Sequence, residues 1–388
     1  MNRKVCIVTG TRADWGLLSG IARELKKREQ VELQIVATNM HLSHRYGYTV
    51  NEIISDGFSI DAEVPMPENS GNHAGTAKAM GICLTGISEA FSRLQPDVTV
   101  ILGDRYEMLA VAAAATVMRI PIIHIAGGAI SEGAIDDSIR HAITKLSSLH
   151  LTETECYRQR VIQMGESPDH VINTGAIGVY NILNETLMPR SELEKSIGTT
   201  IGKNTLLVTL HPATLDTVPV EYRCKSLLDA LDNFPDYNII FTYPNNDANG
   251  RIIIDMIENY ASLNGKRVTV IPSLGKKRYL SALKYVAAVI GNSSSGIVEV
   301  PSMGIPTVDI GIRQRGRMAS ESVIHCAEDS KSITDAIALA LSPAGQENAR
   351  KATNPYYKQD TLQTIADAVA NTPLESLHHK KFYDLNNG

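Results

Sequence analysis

The sequence predicts an α/β protein with parallel sheets, because short β-branched runs alternate with longer amphipathic stretches along the whole chain. Such alternation is typical of βαβ units with right-handed crossovers. A chain of 388 residues is too long for one ordinary core, so we expect two domains. Polar clusters follow the strands in both halves, and ligands of open parallel sheets bind beyond the carboxyl ends of the strands. We therefore expect one ligand cleft between two facing sheets.

The first half contains apolar runs that we interpret as buried parallel strands, at 5–10, 31–38, 98–104 and 120–128. Helical patterns such as GLLSGIARELKKRE and YEMLAVAAAATVMR lie between them. The second half repeats this organisation, with strands expected at 205–212, 237–244, 268–274, 287–296 and 306–311.

A polar stretch at 181–204, broken by a proline and glycines, marks the expected connection between the domains. We place an N-terminal domain at 1–180 and a C-terminal domain at 181–359. A last helix pattern, about 361–371 within the segment 360–388, could pack back on either domain.

The bulk composition is that of an ordinary soluble globular protein, with 20% charged and 43% hydrophobic residues. A net charge of -5 favours neither nucleic acid nor an anionic membrane as a partner. The five cysteines have no CxxC or zinc spacing, which indicates a reduced, cytoplasmic chain. The N-terminus has no signal-peptide pattern, and no apolar run approaches the ~20 residues of a membrane span.

The segment GNSSSG predicts an anion-binding loop. Ser293 and Ser294 supply hydroxyl donors, and free N–H groups at a helix start favour a diphosphate. An ordinary serine N-cap is the alternative. Glu299, one turn later, either complements the helix dipole or accepts hydrogen bonds from ribose hydroxyls, and the sequence leaves both open.

Arginines at strand ends are candidate phosphate ligands. Arg12 directly follows the first strand, where a guanidinium can fork onto a phosphate. The segment GIRQRGR places Arg313, Arg315 and Arg317 on a glycine-flanked loop that we interpret as an anion lid. Exposed loop arginines with no ligand are the alternative in both places.

Two acidic segments are candidates for acid/base chemistry. In GDRYE, Asp104 and Arg105 lie at a strand end, where a helix N-cap is the more common role of an aspartate. Asp136 and Asp137 lie in the first turn of a helix that follows a Gly-Gly turn. If Asp104 and Asp136 face the same cleft, they form a carboxylate pair suited to proton transfer.

Histidines also lie at the predicted strand ends. His211 is well placed to contact a phosphate, and His41 and His44 extend the polar rim of the cleft. His124, as a lone strand-end histidine, is more often a structural hydrogen bonder. With no cysteine cluster and no HExxH motif, we expect no metal site.

Together these segments resemble the hydrolysing UDP-N-acetylglucosamine 2-epimerase family. No single motif is decisive, but their order and spacing are specific and cover nearly the whole chain. The matching segments are TGTRADWG, MHLSHRYGYT, LGDRYE, DDSIRHAITKLSSLHLT, HPAT, YPNND, IGNSSSGIVEVP, GIRQRGR and NPYY.

The resemblance implies a GT-B-like arrangement of two Rossmann-like domains with a UDP-sugar in the cleft. It implies that a base removes the C2 proton while UDP leaves from C1, and that water then adds to the 2-acetamidoglucal. The products would be UDP and N-acetylmannosamine, a precursor of sialic acid. A sister group acts on UDP-N,N'-diacetylbacillosamine. The resemblance implies no cofactor and a homodimer or homotetramer.

The resemblance also assigns residues to roles. Asp104 and Asp136 would be the acid/base groups, and Arg105 would contact the diphosphate. The residues that hold UDP would be Arg12, His211, Ser293, Ser294, Glu299 and Arg313. We add His41, His44 and Asn246 as further candidate ligands of the UDP-sugar.

One expected acid is missing. At the end of the predicted strand 120–128 the family pattern is typically HIxGGE or HIxGGD, whereas this chain reads HIAGGA, which puts Ala129 where an acid is expected. Three accounts compete: a substitution made to trap a ligand, a natural variant that uses another group, and a site where the acid is dispensable. We favour the first, because the rest of the site is intact. Glu132 and Asp137 are the candidate stand-ins.

Other functions share parts of this pattern. A GT-B glycosyltransferase would need an acceptor, a non-catalytic UDP-sugar sensor would bind without turnover, and a non-hydrolysing epimerase would return a UDP-sugar. The GDRYE and DDSIRHAITK segments resemble the hydrolysing branch.

Overall fold

The computed structural model describes residues 2–44, 47–67, 73–131, 135–212, 218–244 and 250–385. The chain divides into two compact units. The first comprises Met1–Ala129, Ile135–Tyr180 and Lys358–Gly388, and the second comprises Ile130–Ala134 and Asn181–Tyr357. Within the described ranges, no helix is both long and apolar enough to cross a membrane.

The described residues of the first unit form a seven-stranded parallel sheet with the order β3-β2-β1-β4-β5-β6-β7. The sheet therefore extends to one side from β1 to β3 and to the other side from β4 to β7, and β1 and β4 are parallel neighbours at its centre. The strands are β1 (Arg3–Thr9), β2 (Val31–Thr38), β3 (Ala62–Val64), β4 (Val98–Leu102), β5 (Ile122–Ile125), β6 (Leu149–Thr152) and β7 (Val171–Asn173).

The described residues of the second unit form a six-stranded parallel sheet with the order β10-β9-β8-β11-β12-β13. Here the corresponding central neighbours are β8 and β11. The strands are β8 (Thr205–Thr209), β9 (Asn238–Thr242), β10 (Val268–Ile271), β11 (Ala288–Gly291), β12 (Thr307–Ile310) and β13 (Val323–Cys326).

Helices alternate with these strands and cover the sheets. They are α1 (Arg12–Lys26), α2 (Val50–Ser55), α3 (His73–Leu94), α4 (Tyr106–Val117), α5 (Asp136–Leu146), α6 (Glu155–Gln163), α7 (Ile177–Asn184), α8 (Arg190–Ile197), α9 (Val220–Leu231), α10 (Gly250–Leu263), α11 (Gly275–Leu283), α12 (Ser294–Val298), α13 (Ser330–Leu341), α14 (Pro343–Lys351), α15 (Thr361–Asn371) and α16 (Leu374–His378). Short 3-10 turns occur at Asn39–Leu42, Pro168–His170 and Val300–Met303.

Each sheet has an apolar core on both faces, because successive strand residues point to opposite sides. On β1, Val5 and Ile7 pack into one cluster, and Cys6 and Val8 pack into another. Burial on both faces explains why the strand sequences are continuous apolar runs rather than alternating ones.

All the strands expected from the sequence are present, so the predicted α/β class with two parallel sheets is confirmed. The sequence analysis did not identify β3, β6, β7 and β13, which are three or four residues long. Length alone does not explain this, because β5, β10, β11 and β12 have four residues each and were predicted as parts of longer apolar runs.

The last long helix, α15, belongs to the first unit and packs on α1. The side chain of Leu362 lies in the core beside α1. Arg3 on β1 donates to the carbonyl oxygens of Val369, at 2.7 Å, and Thr372, at 2.6 Å. The C-terminal segment therefore completes the core around the first strand.

Candidate functional site

The carboxyl-terminal edge of the first sheet carries a buried arginine that holds two carboxylates. Arg140 on α5 is 2% exposed, and its Nη2 donates to the Asp104 carboxylate after β4. Its Nη1 donates to Oδ1 of Asp137 at 3.2 Å and to the carbonyl oxygen of Ala129 at 3.0 Å. A guanidinium with several fixed acceptors holds them in a defined geometry. Arg140 therefore connects the turns after β4 and β5 to α5.

Asp136 is the first residue of α5 and interacts electrostatically with Asp104. Burial raises the pKa of Asp136 above its usual value, and the neighbouring Asp104 carboxylate adds to this effect. A carboxyl group with a raised pKa holds a proton more readily than an ordinary one, and shifted pKa values are common among acid/base catalysts.

A second ionic cluster lies at the turn after β1. Arg105 donates from Nε to Oε1 of the fully buried Glu107 at 2.7 Å. Gly10 leaves the room for this carboxylate, because a Cβ there would lie 2.7 Å from Glu107 Oε1. Asp14 accepts from the Gly10 amide at 3.3 Å, and burial raises the pKa of Asp14 to about 6. Arg12 begins α1 and is exposed.

The two predicted rim histidines differ in environment. His41 is fully buried, and its ring nitrogens form hydrogen bonds with the hydroxyls of Thr9 at 3.0 Å and Thr49 at 2.9 Å. Burial lowers its pKa to about 4, so the ring is neutral and joins β1 to the segment before α2. His44 is exposed and stacks on Tyr48 with ring centroids 4.6 Å apart.

His124, on β5, connects this strand to the turn after β4 and to α5. Its ring nitrogens form hydrogen bonds with the Gly103 carbonyl oxygen at 2.8 Å and with the Thr144 hydroxyl at 3.2 Å. Ala126 has a positive φ of 67°, which is uncommon for a residue with a Cβ. Ala129 is 3% exposed, so its methyl group is buried beside the Arg140 cluster.

In the second unit, the ends of β8 and β11 are joined by an amide side chain. The His211 amide donates to Asn292 Oδ1 at 2.7 Å, and Asn292 Nδ2 donates back to the His211 carbonyl oxygen at 2.9 Å. Gly291 has a φ of 136°, and a Cβ there would overlap the Thr209 carbonyl oxygen. Only glycine permits this close approach of the two strands.

Several predicted ligand residues of the second unit lie near Asn292, which His211 and Arg313 contact. Ser293 is the N-cap of α12, Ser294 is its first residue and is exposed, and Glu299 is its C-cap. Arg313 donates from Nη1 to the Asn292 carbonyl oxygen at 2.9 Å. Hydroxyl, guanidinium and backbone groups from the ends of β8, β11 and β12 therefore lie at one edge of this sheet.

Glu132 and Asn246, which were also predicted as site residues, lie outside the described residues. Conversely, the sequence analysis did not identify Arg140, Glu107 or Asn292 as site residues. A signal existed for Arg140, which follows Asp137 by three positions on one helix face. Within the described ranges, no group of three or more His, Cys, Asp or Glu side chains is arranged to hold a metal ion.

Comparison with known proteins identifies relatives along the whole chain. The family model described as UDP-N-acetylglucosamine 2-epimerase matches residues 23–370. A Campylobacter jejuni protein named GDP/UDP-N,N'-diacetylbacillosamine 2-epimerase (hydrolyzing) is 37% identical, with 99% of each chain aligned. A Legionella pneumophila protein named UDP-N,N'-diacetylbacillosamine 2-epimerase (hydrolyzing) is 36% identical, with 97% of this chain and 98% of that protein aligned.

Solved structures share the fold. The crystal structure of a UDP-GlcNAc 2-epimerase from Neisseria meningitidis bound to UDP-GlcNAc superposes with a TM-score of 0.79 at 18% identity. The alignment covers 95% of this chain and 100% of that one. This likeness confirms the predicted GT-B-like fold class with two Rossmann-like domains.

Proposed function

The chain belongs to the UDP-N-acetylglucosamine 2-epimerase family, and from this premise we propose that it is a hydrolysing 2-epimerase of a UDP-activated 2-acetamido sugar. The observation that carries the proposal is the carboxylate cluster of the first unit. Asp104 and Asp137 are held by the buried Arg140, beside Asp136, whose pKa is raised. Proton transfer at carbon requires such a group at a fixed position.

The proposed reaction proceeds by elimination and hydration. A carboxylate of the cluster removes the C2 proton while the C1–O bond to UDP breaks, giving a 2-acetamidoglucal. Water then adds, its hydroxyl to C1 and a proton to the opposite face of C2. Asp136 is our candidate for the proton exchange, and Asp104 is the second acid/base group, positioned by Arg140.

The C2 proton is poorly acidic, so departure of UDP must be assisted. Positive charge and N–H groups near the leaving diphosphate stabilise the charge that develops on it. In the second unit we assign this role to Ser293, Ser294, His211 and Arg313, and in the first to Arg12 and Arg105. The gathering of the first four residues around Asn292 supports the assignment.

Two donors are candidates. UDP-GlcNAc is the first, since the Neisseria meningitidis structure of the same fold contains it. UDP-N,N'-diacetylbacillosamine is the second, and the names of the relatives at 37% and 36% identity favour it. The cytoplasmic location, the homo-oligomeric state and a place in sialic-acid synthesis stay predictions.

The test supplies each donor without an acceptor sugar and follows UDP release together with proton NMR of the sugar. We expect equimolar UDP and a free sugar inverted at C2, with one deuterium at C2 when the reaction runs in D₂O. Recovery of an epimerised UDP-sugar would instead indicate the non-hydrolysing reaction. Binding without release would indicate a glycosyltransferase or a sensor.

We also propose that Ala129 reduces activity by replacing an acid. Its carbonyl oxygen accepts from Arg140 at 3.0 Å, so a carboxylate introduced at this position lies next to the Arg140 guanidinium. We expect Ala129→Asp or Ala129→Glu to release UDP faster than the given protein, whereas Ala129→Asn, which has no charge, does not. Equal rates for the acidic variants and the given protein would contradict this account.

A further inference from the structure

A cavity of about 630 Å³ opens at the carboxyl ends of β12 and β13 in the second unit. Its wall includes Arg315, Arg317 and His325 together with Gln314 and Glu328. A volume of this size fits a small-molecule ligand, since such sites typically occupy roughly 300–1,000 Å³. The roles assigned above to the second unit use the ends of β8 and β11 and Arg313, and they leave this cavity unexplained.

The cavity contains an oriented histidine. Asp309 on β12 and His325 on β13 are register partners in the sheet, and His325 Nδ1 lies 2.8 Å from Asp309 Oδ2. Asp309 is 1% exposed, whereas the His325 side chain is 52% exposed. The buried carboxylate therefore fixes the ring through Nδ1, and Nε2 is the nitrogen that remains to face a ligand.

Asp309 also favours the charged form of the ring. The hydrogen bond from His325 to this carboxylate raises the histidine pKa above its usual value. An imidazolium held in this way presents a fixed N–H donor with positive charge.

The charges on the cavity wall are predominantly positive. Arg315 and Arg317 come from the loop after β12, and Gly316 between them adopts a positive φ of 87°. The acidic residue of the wall, Glu328, pairs with the buried Arg223 at 3.0 Å, which offsets its charge. Arg317 also donates from Nη2 to the Ser131 hydroxyl at 3.4 Å. Two arginines and an oriented histidine therefore line one concave surface.

We propose that this cavity is an oxyanion site that binds the phosphate group of a small phosphorylated molecule of about sugar size. The two guanidinium groups and the His325 Nε2–H supply charge-assisted donors for phosphate oxygens. The remaining volume, with apolar wall residues such as Ile312 and Ala327, accommodates the carbon skeleton. The lining of the cavity includes none of the residues that we assign to the leaving diphosphate, and the proposal does not depend on the proposed reaction.

The test uses the full chain labelled with ¹⁵N-histidine, and follows the ring nitrogens by NMR during titration with inorganic phosphate or glucose 6-phosphate. Saturating UDP is present throughout, so that the proposed diphosphate contacts are occupied. We expect a saturable shift of the His325 signals, which are identified by their loss in His325→Gln. Glucose 6-phosphate is expected to bind more tightly than phosphate.

Calorimetry then compares variants. We expect His325→Gln and Arg315→Ala each to weaken glucose 6-phosphate binding at least tenfold, and Asp309→Asn to weaken it less, because the ring remains. His378→Gln, which changes an exposed histidine of the first unit, is the matched control and should bind as the unaltered protein does. Thermal melts verify that each variant is folded.

The proposal is overturned if the His325 signals do not respond to either probe. It is also overturned if His325→Gln and Arg315→Ala, while folded, bind glucose 6-phosphate as tightly as His378→Gln. The titrations measure binding rather than turnover, so the absence of epimerase activity would neither support nor contradict the proposed phosphate site. If UDP itself does not bind, the same titrations are run without it.

Discussion

The two units place different chemistry at the carboxyl ends of similar parallel sheets. In the first unit the strand ends carry charged clusters, with Arg140 among aspartates and Arg105 on the buried Glu107. In the second, the ends of β8 and β11 are joined by the neutral Asn292 and by close backbone approach at Gly291, and charged groups lie instead at the ends of β12 and β13.

This difference teaches how one architecture supports two tasks. Buried ion pairs control protonation, because burial and neighbouring charges shift pKa values. Backbone turns and amide contacts shape a surface for a ligand without titrating. We therefore expect substitutions in the charged clusters of the first unit to affect chemistry and pH dependence, and those at the junction of β8 and β11 to affect shape and affinity.

The largest expected effect is on stability in the second unit. Gly291→Ala places a Cβ on the Thr209 carbonyl oxygen and requires alanine to adopt a φ of 136°. We therefore expect the free energy of unfolding to fall by on the order of 4 kcal/mol or more. Denaturant unfolding measures it. Gly16→Ala, in α1 with open space around it, is the control and should gain up to about 1 kcal/mol. If Gly291→Ala unfolds at the same denaturant concentration as the unaltered protein, the close backbone approach at Gly291 does not contribute to stability.

Next is the acid/base chemistry of the first unit. Asp104→Asn keeps the size of the side chain but removes its charge, and we expect UDP release to fall about 10²–10⁴-fold. The matched control is Asp335→Asn on the surface of α13, which should keep the full rate. A fall of less than threefold in Asp104→Asn would mean that this carboxylate takes no part in proton transfer.

Arg140→Met tests the cluster as a structural element. It leaves the Asp104 and Asp137 carboxylates without their shared cation, and we expect a destabilisation of about 3 kcal/mol at pH 7. Arg251→Met removes an exposed helix pair with Asp255 and should cost no more than about 0.5 kcal/mol. Similar decreases in the free energy of unfolding in both variants would show that the buried ion pairs of Arg140 stabilise the protein no more than an exposed pair does.

Ligand affinity in the second unit is expected to change moderately. Ser293→Ala removes one hydroxyl donor at the start of α12, and we expect UDP to bind about tenfold more weakly by calorimetry, as for the loss of a hydrogen bond to a charged group. Ser262→Ala, at the exposed end of α10, should bind UDP unchanged. Unaltered affinity in Ser293→Ala would exclude the hydroxyl as a ligand.

The last comparison concerns the pH dependence of stability in the first unit. The folded protein raises the Asp14 pKa from 3.8 to about 6, so its contribution to stability is fully present below pH 3.8 and is lost as the pH rises through about 6. Asp14→Asn should therefore flatten the decline of thermal stability over this range. Asp367→Asn, a half-exposed carboxylate, is the control and should retain the decline. An unchanged slope in Asp14→Asn would contradict the raised pKa.

Much of the fold was predictable, because each long strand is a local apolar run. The pattern at 361–371 also corresponds to α15, Thr361–Asn371. The strands β3, β6, β7 and β13 were missed, whereas β5, β10, β11 and β12, with four residues each, were predicted as parts of longer apolar runs. Strand pairing depends on neighbours that the local sequence does not contain. The sequence located candidate site residues at strand ends, but it did not identify the side chains that contact them. Glu107 resembles an ordinary first-turn helix acid until its complete burial is known.

The sequence by itself determined the α/β alternation, the parallel sheets and the polar strand ends, because hydrophobic periodicity is a property of neighbouring residues. Only the tertiary structure decided which charges share a buried environment. Asp104 meets Arg140 across 36 positions, and Asp309 meets His325 across 16. Burial and Coulomb interaction depend on distance in space, so the protonation and orientation of these groups arise only when the chain is folded.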